Sequence, residues 1–172
     1  MAIVLYREDG SDKLSPLCMG SLINQRYVMT TAQCANGDPF KPYRVRLGEH
    51  TIDQEEDCNA NGGRNETRHR MKSLRKAIVS SVDEAKCRTQ YALFGLTLAE
   101  DQFCAEAGAG SSGSSCHGDV GAPLGYTAGY YGTQQFVQFG IAAFGTFGCR
   151  EAPSVYTNVS VHVGWIIGNV RP

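Results

Sequence analysis

The sequence predicts an all-β protein, and three observations carry that reading. Twenty glycines punctuate the 172 residues. Between them lie short apolar runs, each too brief for a buried helix. Eight tyrosines and seven phenylalanines add side chains that suit a pleated, half-buried surface.

Taken in chain order, Leu22-Ile23 and Tyr27-Val28-Met29 have the β-branched and aromatic character of brief strands. Phe136-Val137-Gln138-Phe139-Gly140-Ile141 is the longest such run. No stretch is apolar for long enough to cross a membrane as a helix. The opening Met1-Ala2-Ile3-Val4-Leu5-Tyr6-Arg7 has too short an apolar core, and no basic segment before it, to act as a secretory signal. A chain of this length can bury one core or two small packed lobes.

Sixteen basic and seventeen acidic residues leave a net charge of −1, spread along the chain. That balance gives no basic patch for nucleic acid or a membrane surface. Seven cysteines stand at 18, 34, 58, 87, 104, 116 and 149. None forms a CxxC pair, and no cysteine or histidine spacing suits zinc, so neither a metal nor a cofactor is expected. The better account is an extracellular disulfide framework. Two N-x-S/T triplets, at Asn65 and Asn158, agree with a secreted chain as candidate glycosylation sites.

Several blocks point to a family. Cys18-Met19-Gly20-Ser21-Leu22-Ile23, continuing to Val28-Met29-Thr30-Thr31-Ala32-Gln33-Cys34, resembles the block around the catalytic histidine of trypsin-like serine proteases. Val45-Arg46-Leu47-Gly48-Glu49 resembles the next strand. Ser115-Cys116-His117-Gly118-Asp119-Val120-Gly121-Ala122-Pro123-Leu124 resembles the nucleophile loop, Cys-x-Gly-Asp-Ser-Gly-Gly-Pro-Leu. Val155-Tyr156-Thr157-Asn158-Val159 and Trp165-Ile166 resemble the closing strand and C-terminal helix. Asp57-Cys58 after the Val-Arg-Leu-Gly-Glu block, and the Met1–Tyr6 opening, are similar to arthropod clip-domain proteases and their inactive homologues.

The resemblance implies a chymotrypsin-like double β-barrel with a short C-terminal helix and a truncated first barrel. Residues 1–62 would form the partial N-terminal barrel, and 63–172 the C-terminal one. Between Glu49 and Cys87 the family carries further strands, including the Asp-Ile-Ala-Leu that supplies the catalytic aspartate. No such motif stands here. The expected deletion lies near Gly62. Signal peptide, clip domain and activation site would fall upstream of Met1.

The mechanism of the family needs a hydroxyl nucleophile, a base and a carboxylate that orients the base. By resemblance, Val120 stands at the nucleophile position and Gln33 at the base. Valine offers no attacking atom, and an uncharged amide takes no proton near neutral pH. His117 is the one histidine near the loop, and it has no nucleophile to activate. His50, His69 and His162 lie elsewhere in the sequence. Ser114 and Ser115 would face away from a scissile bond, so no catalytic residue is assigned.

Part of the surrounding shell remains. Gly118 and Val120 could present backbone amides as an oxyanion-hole remnant, because that device uses N–H groups. Ala143-Phe144-Gly145 resembles the strand that pairs with substrate backbone. Ser114 sits at the pocket floor, where trypsin-like members carry aspartate, and Ser154 in the pocket wall, where glycine is common. Asp119, which in active relatives pairs with a newly released amine, would need another donor or turn toward solvent. The resemblance further implies disulfides Cys18–Cys34, Cys87–Cys104 and Cys116–Cys149, leaving Cys58 unpaired.

The resulting expectation is an inactive, secreted serine protease homologue. Its partners would be other proteins of an extracellular cascade of the melanisation type. The alternatives are a fragment or defective gene model of an active secreted serine endopeptidase, and a disulfide-rich binding module. Oligomeric state is left open, although an incomplete barrel would expose sheet edges that invite association.

Overall fold

The computed structural model describes residues 1–7, 10, 12–36, 41–48, 76–108, 119–145 and 152–171. Its strands fall into two antiparallel sheets. The first holds β1 (Ala2–Arg7), β2 (Leu14–Leu22), β3 (Val28–Met29) and β4 (Lys41–Leu47), in the order β3-β2-β1-β4. The second holds β5 (Val79–Ser81), β6 (Gln102–Ala107), β7 (Pro123–Tyr130), β8 (Thr133–Phe144) and β9 (Ser154–Asn158), in the order β5-β6-β9-β8-β7. The boundary expected near Gly62 lies outside the described residues.

β1 is an interior strand of the first sheet, and Ala2 through Tyr6 are all buried. A strand covered on both faces needs no polar alternation, which explains its unbroken apolar run. Ile3 and Leu5 pack with Met19, Leu14 and Ala122, so the first sheet rests on a residue of the second half. β4 is the edge. Its Tyr43, Val45 and Leu47 are exposed, and the Arg7 guanidinium lies 3.9 Å from the centre of the Tyr43 ring.

The second sheet is better filled. Cys87, Tyr91, Leu98, Cys104 and Val155 form one cluster, and Ala105, Ala142 and Tyr156 form another. Phe103 stacks on both Tyr156 and Phe139, with ring centres 5.7 and 6.0 Å apart. Ala122 packs against both this sheet and the first, so it bridges the halves.

Among the described residues there are three short helices, α1 (Ala32–Ala35), α2 (Glu84–Ala92) and α3 (Val163–Asn169), the last preceded by a 3-10 turn, Val159–His162. α3 is the C-terminal helix that the resemblance implies. α2 was not legible from periodicity, because its buried residues are few, Cys87 and Tyr91. Its start was signalled chemically: the Asp83 carboxylate accepts from Lys86 N at 2.9 Å, and Glu84 occupies the first turn. His162 Nε2 lies 2.7 Å from Asp101 Oδ2, and Asn158 N donates to Asp101 O, which fastens the 3-10 turn to the loop before β6.

Candidate functional site

The site assembles where the two halves meet. α1 is a single turn whose N-cap, Thr31, accepts from Cys34 N. Cys34 is buried and disulfide-bonded to Cys18 on β2, and its carbonyl accepts from the Tyr6 hydroxyl at 2.6 Å. Helix, disulfide and phenol together fix this turn. Gln33, beside Cys34, is exposed.

Val120 reaches the same place from the second half. Its carbonyl accepts from Met19 N at 2.7 Å and lies 3.8 Å from Cys34 Sγ. The structure thus brings Gln33 and Val120, 87 residues apart in sequence, beside one buried cysteine. The contacts Val120 makes here use its backbone, so they do not depend on which side chain it carries.

Gly121 explains why the junction is so close. Its φ is +89°, and a Cβ there would overlap the Met19 carbonyl oxygen and Thr30 Oγ1. Only glycine combines that backbone with that approach. Gly121 N donates to Ala142 O and Ala142 N to Ala122 O, so the same turn is sewn to β8. Thr30 Oγ1 donates to Met19 O at 2.7 Å on the other side.

The expected pocket residues lie along β8 and β9. Ala143 is the extra residue of a bulge between Ala142 and Phe144, and both Ala143 and Phe144 are half-buried. Gly145 is exposed. Ser154 is buried at the start of β9, opposite Ala105. Behind them stands Tyr91 of α2, a residue that sequence reasoning missed. Its ring meets Phe144 edge-on with centres 5.6 Å apart, and its hydroxyl donates to Pro153 O at 2.6 Å. It therefore braces β8 and the residue that leads into β9. No local motif marks such a tyrosine; only its burial does. Burial also raises the Tyr91 and Tyr6 phenols above the ordinary tyrosine range.

Asp119 is half-buried and partnered: its carbonyl accepts from Ala122 N, and it makes a further interaction. Gly118, Ser114, Ser115, His117, Cys58 and Asn65, together with the Cys116–Cys149 pair, lie outside the described residues. Disulfides Cys18–Cys34 and Cys87–Cys104 are present. The Asn158 side chain accepts from Ser160 N and so caps the 3-10 turn. Among the described residues no group of three or more histidine, cysteine or acidic side chains converges as a metal would require. Nor is any described helix long and apolar enough to cross a membrane.

Two antiparallel sheets joined through a glycine turn, with a disulfide-anchored helical turn beside it, define a chymotrypsin-like fold. The family model for trypsin matches residues 2–64 and 53–166, and the chain belongs to that family. Among particular proteins, it is similar to serine protease grass of Drosophila melanogaster. The two are 27% identical over 238 aligned residues, covering 96% of this chain and 63% of the relative. Phenoloxidase-activating factor 3 of Holotrichia diomphalia is 25% identical, covering 90% of this chain and 64% of its own length. A CLIP domain-containing serine protease, B4 of Anopheles gambiae, is 26% identical, covering 89% of this chain and 62% of its own length. The crystal structure of the Drosophila Grass clip serine protease of the Toll pathway superposes with a TM-score of 0.68 at 25% identity. That match covers 96% of this chain and 66% of the other. The chain spans less than two thirds of the length of these relatives.

Proposed function

We propose that this chain is a catalytically inactive trypsin-family homologue that serves as an extracellular cofactor or regulator of an immune proteolytic cascade. The observation that carries the reading is the pair of substitutions at the junction. Valine at 120 supplies no nucleophile and glutamine at 33 supplies no base. The motif that would supply the orienting aspartate is missing between Glu49 and Cys87. In subtilisin, removing the serine or the histidine alone costs about 10⁶-fold, nearly as much as removing the whole triad.

Residues 1–62 and 63–172 are the two unequal halves of the domain in this reading. Supporting that division, the family model matches in two segments that meet around residues 53–64. The alignment with the grass protease is also longer than the chain itself, so it opens gaps on this chain's side. The cascade role is supported by the relatives' names, a phenoloxidase-activating factor and a protease of the Toll pathway. Secretion is supported by the disulfides. A protease surface can dock partners after its chemistry is lost, and proteases of such a cascade are the partners proposed here.

A fluorophosphonate serine-hydrolase probe tests the reading. The purified chain should remain unlabelled, alone and after limited proteolysis. Robust labelling abolished by an active-site inhibitor would overturn it.

A further inference from the structure

We propose that β4, with Arg7 beside it, is a docking surface for an extended acidic segment of a partner protein, one that carries apolar residues among its carboxylates. The strands of the first sheet hold four basic residues, Arg7, Lys41, Arg44 and Arg46, and no acidic one. Register gathers these charges. β4 pairs with β1 so that Arg46 lies opposite Ile3, Arg44 opposite Leu5 and Lys41 opposite Arg7, with Tyr43 the extra residue of a bulge. Directly opposed residues of antiparallel strands present their side chains on one face. Ile3, Leu5 and Arg7 alternate along β1 onto a single face, so the four cations share it. From Lys41 to Arg46 they span about 17 Å, at roughly 3.4 Å per residue.

That arrangement costs the fold stability until an anion meets it. Lys41 directly across from Arg7 is a like-charge pair, which is destabilising. Lys41 and Arg44 are exposed, and among the described residues no carboxylate pairs with Lys41, Arg44 or Arg7. The Arg7 guanidinium lies over the Tyr43 ring instead, and its Nε is buried without a hydrogen-bond partner among the described residues. Arg46 is already partnered, which leaves three cations to a ligand.

The same strand selects the kind of polyanion. Tyr43, Val45 and Leu47 are between 42% and 51% exposed, so apolar surface lies among the charges. A sulfated glycan would meet the cations and leave that surface wet. An acidic peptide with apolar side chains covers both. The second sheet offers no such attraction, since its strands carry one acidic residue, Glu106, and no basic one. This surface goes beyond the reading above and does not depend on the lost chemistry.

Fluorescence anisotropy of the full chain with a labelled Glu-Leu-Glu-Phe-Glu-Leu-Glu peptide tests this. The peptide should bind, and its glutamine counterpart, Gln-Leu-Gln-Phe-Gln-Leu-Gln, should bind at least about tenfold more weakly. Lys41→Glu/Arg44→Glu should weaken the acidic peptide at least about tenfold and gain affinity for Lys-Leu-Lys-Phe-Lys-Leu-Lys, a reversal that misfolding would not produce. Val45→Ser/Leu47→Ser should cost the acidic peptide about fivefold, because it loses apolar contact. Lys86→Glu on α2 should leave binding unchanged. No binding by the wild type, or equal binding by Lys41→Glu/Arg44→Glu, overturns the proposal, as does loss of binding in Lys86→Glu. A heparin octasaccharide that binds more tightly than the acidic peptide assigns the face to a sulfated glycan and overturns it too. The chain's own acidic run, Asp53, Glu55, Glu56 and Asp57, supplies the last outcome. Neutralising it should leave the affinity unchanged within about twofold, and a gain of about tenfold would show that this run fills the face, which overturns an outside partner.

Discussion

The sheet of residues 2–47 and the sheet of residues 79–158 bury their apolar residues in different ways. The first has one cluster, Ile3, Leu5 and Met19, and completes it with Ala122 from the other half. Its edge strand leaves Tyr43, Val45 and Leu47 in water. The second has two clusters of its own and a helix clamped to β6 by Cys87–Cys104. The second sheet therefore carries more of its own stability, while the first depends on the junction. Gln33 and Val120 both sit on that junction. The side chain at 120 does not decide the turn, because the Val120 carbonyl and the backbone of Gly121 do the joining.

Breaking the junction should have the largest effect. Gly121→Ala puts a side chain where φ is +89° and where the Met19 carbonyl already stands. Strain and overlap together should cost about 3 to 5 kcal/mol. If the first sheet leans on the second as described, a single unfolding transition in urea should split in two. Hydrogen exchange should then show residues 2–47 melting first. A single shifted transition would mean that the halves are coupled by more than this turn.

The disulfides sharpen the same contrast at a smaller scale. Their sequence separations are nearly equal, 16 for Cys18–Cys34 and 17 for Cys87–Cys104. Chain entropy alone then assigns each about 3 kcal/mol. Cys34 Sγ also lies 3.8 Å from the Val120 carbonyl at the junction, so the Cys18→Ala/Cys34→Ala variant should lose that contact as well, while the backbone carbonyl of residue 34 still accepts from the Tyr6 hydroxyl. Calorimetry of the two double variants measures the difference. Equal losses would show that the junction gains nothing from that cysteine beyond loop closure.

Most of the strand framework was legible because it is written in motifs that the family shares: Cys18 to Cys34, Val45 to Leu47, Val155 to Val159. The strand character of Phe136–Ile141 followed from β-branched and aromatic content alone, and it lies within β8. The residues that motifs do not mark have a common physical trait. Tyr6, Tyr91 and Met19 act through burial and through hydrogen-bond partners as far as 28, 62 and 101 residues away, which no local pattern encodes. α2 has only two buried residues, so its periodicity is faint although its Asp83 cap was in plain view. Of the site, Gln33 and Val120 stood in recognisable motifs, and the structure brings both beside Cys34. That Tyr91 braces Phe144 and Pro153 could not be read from any motif.

The two buried tyrosines offer the finest comparison, since one serves each sheet. Tyr6 serves the junction by donating to Cys34 O, and Tyr91 serves the second sheet by donating to Pro153 O. Replacing either with phenylalanine keeps the ring and orphans a buried carbonyl, at a cost of about 1 kcal/mol. Both phenols are raised by burial, so the folded state holds them neutral where the unfolded chain would ionise them. Their contribution is therefore complete below the ordinary tyrosine value of about 10, and falls as pH rises above it toward the raised folded values. Urea midpoints measured from pH 8 to 11 should decline in the wild type. The decline should be shallower in Tyr6→Phe and Tyr91→Phe, because each removes one of the ionisations that favours unfolding. If the junction is the weaker joint, Tyr6→Phe alone should also lower the midpoint of the first transition in the Gly121→Ala background. Tyr91→Phe should move only the second.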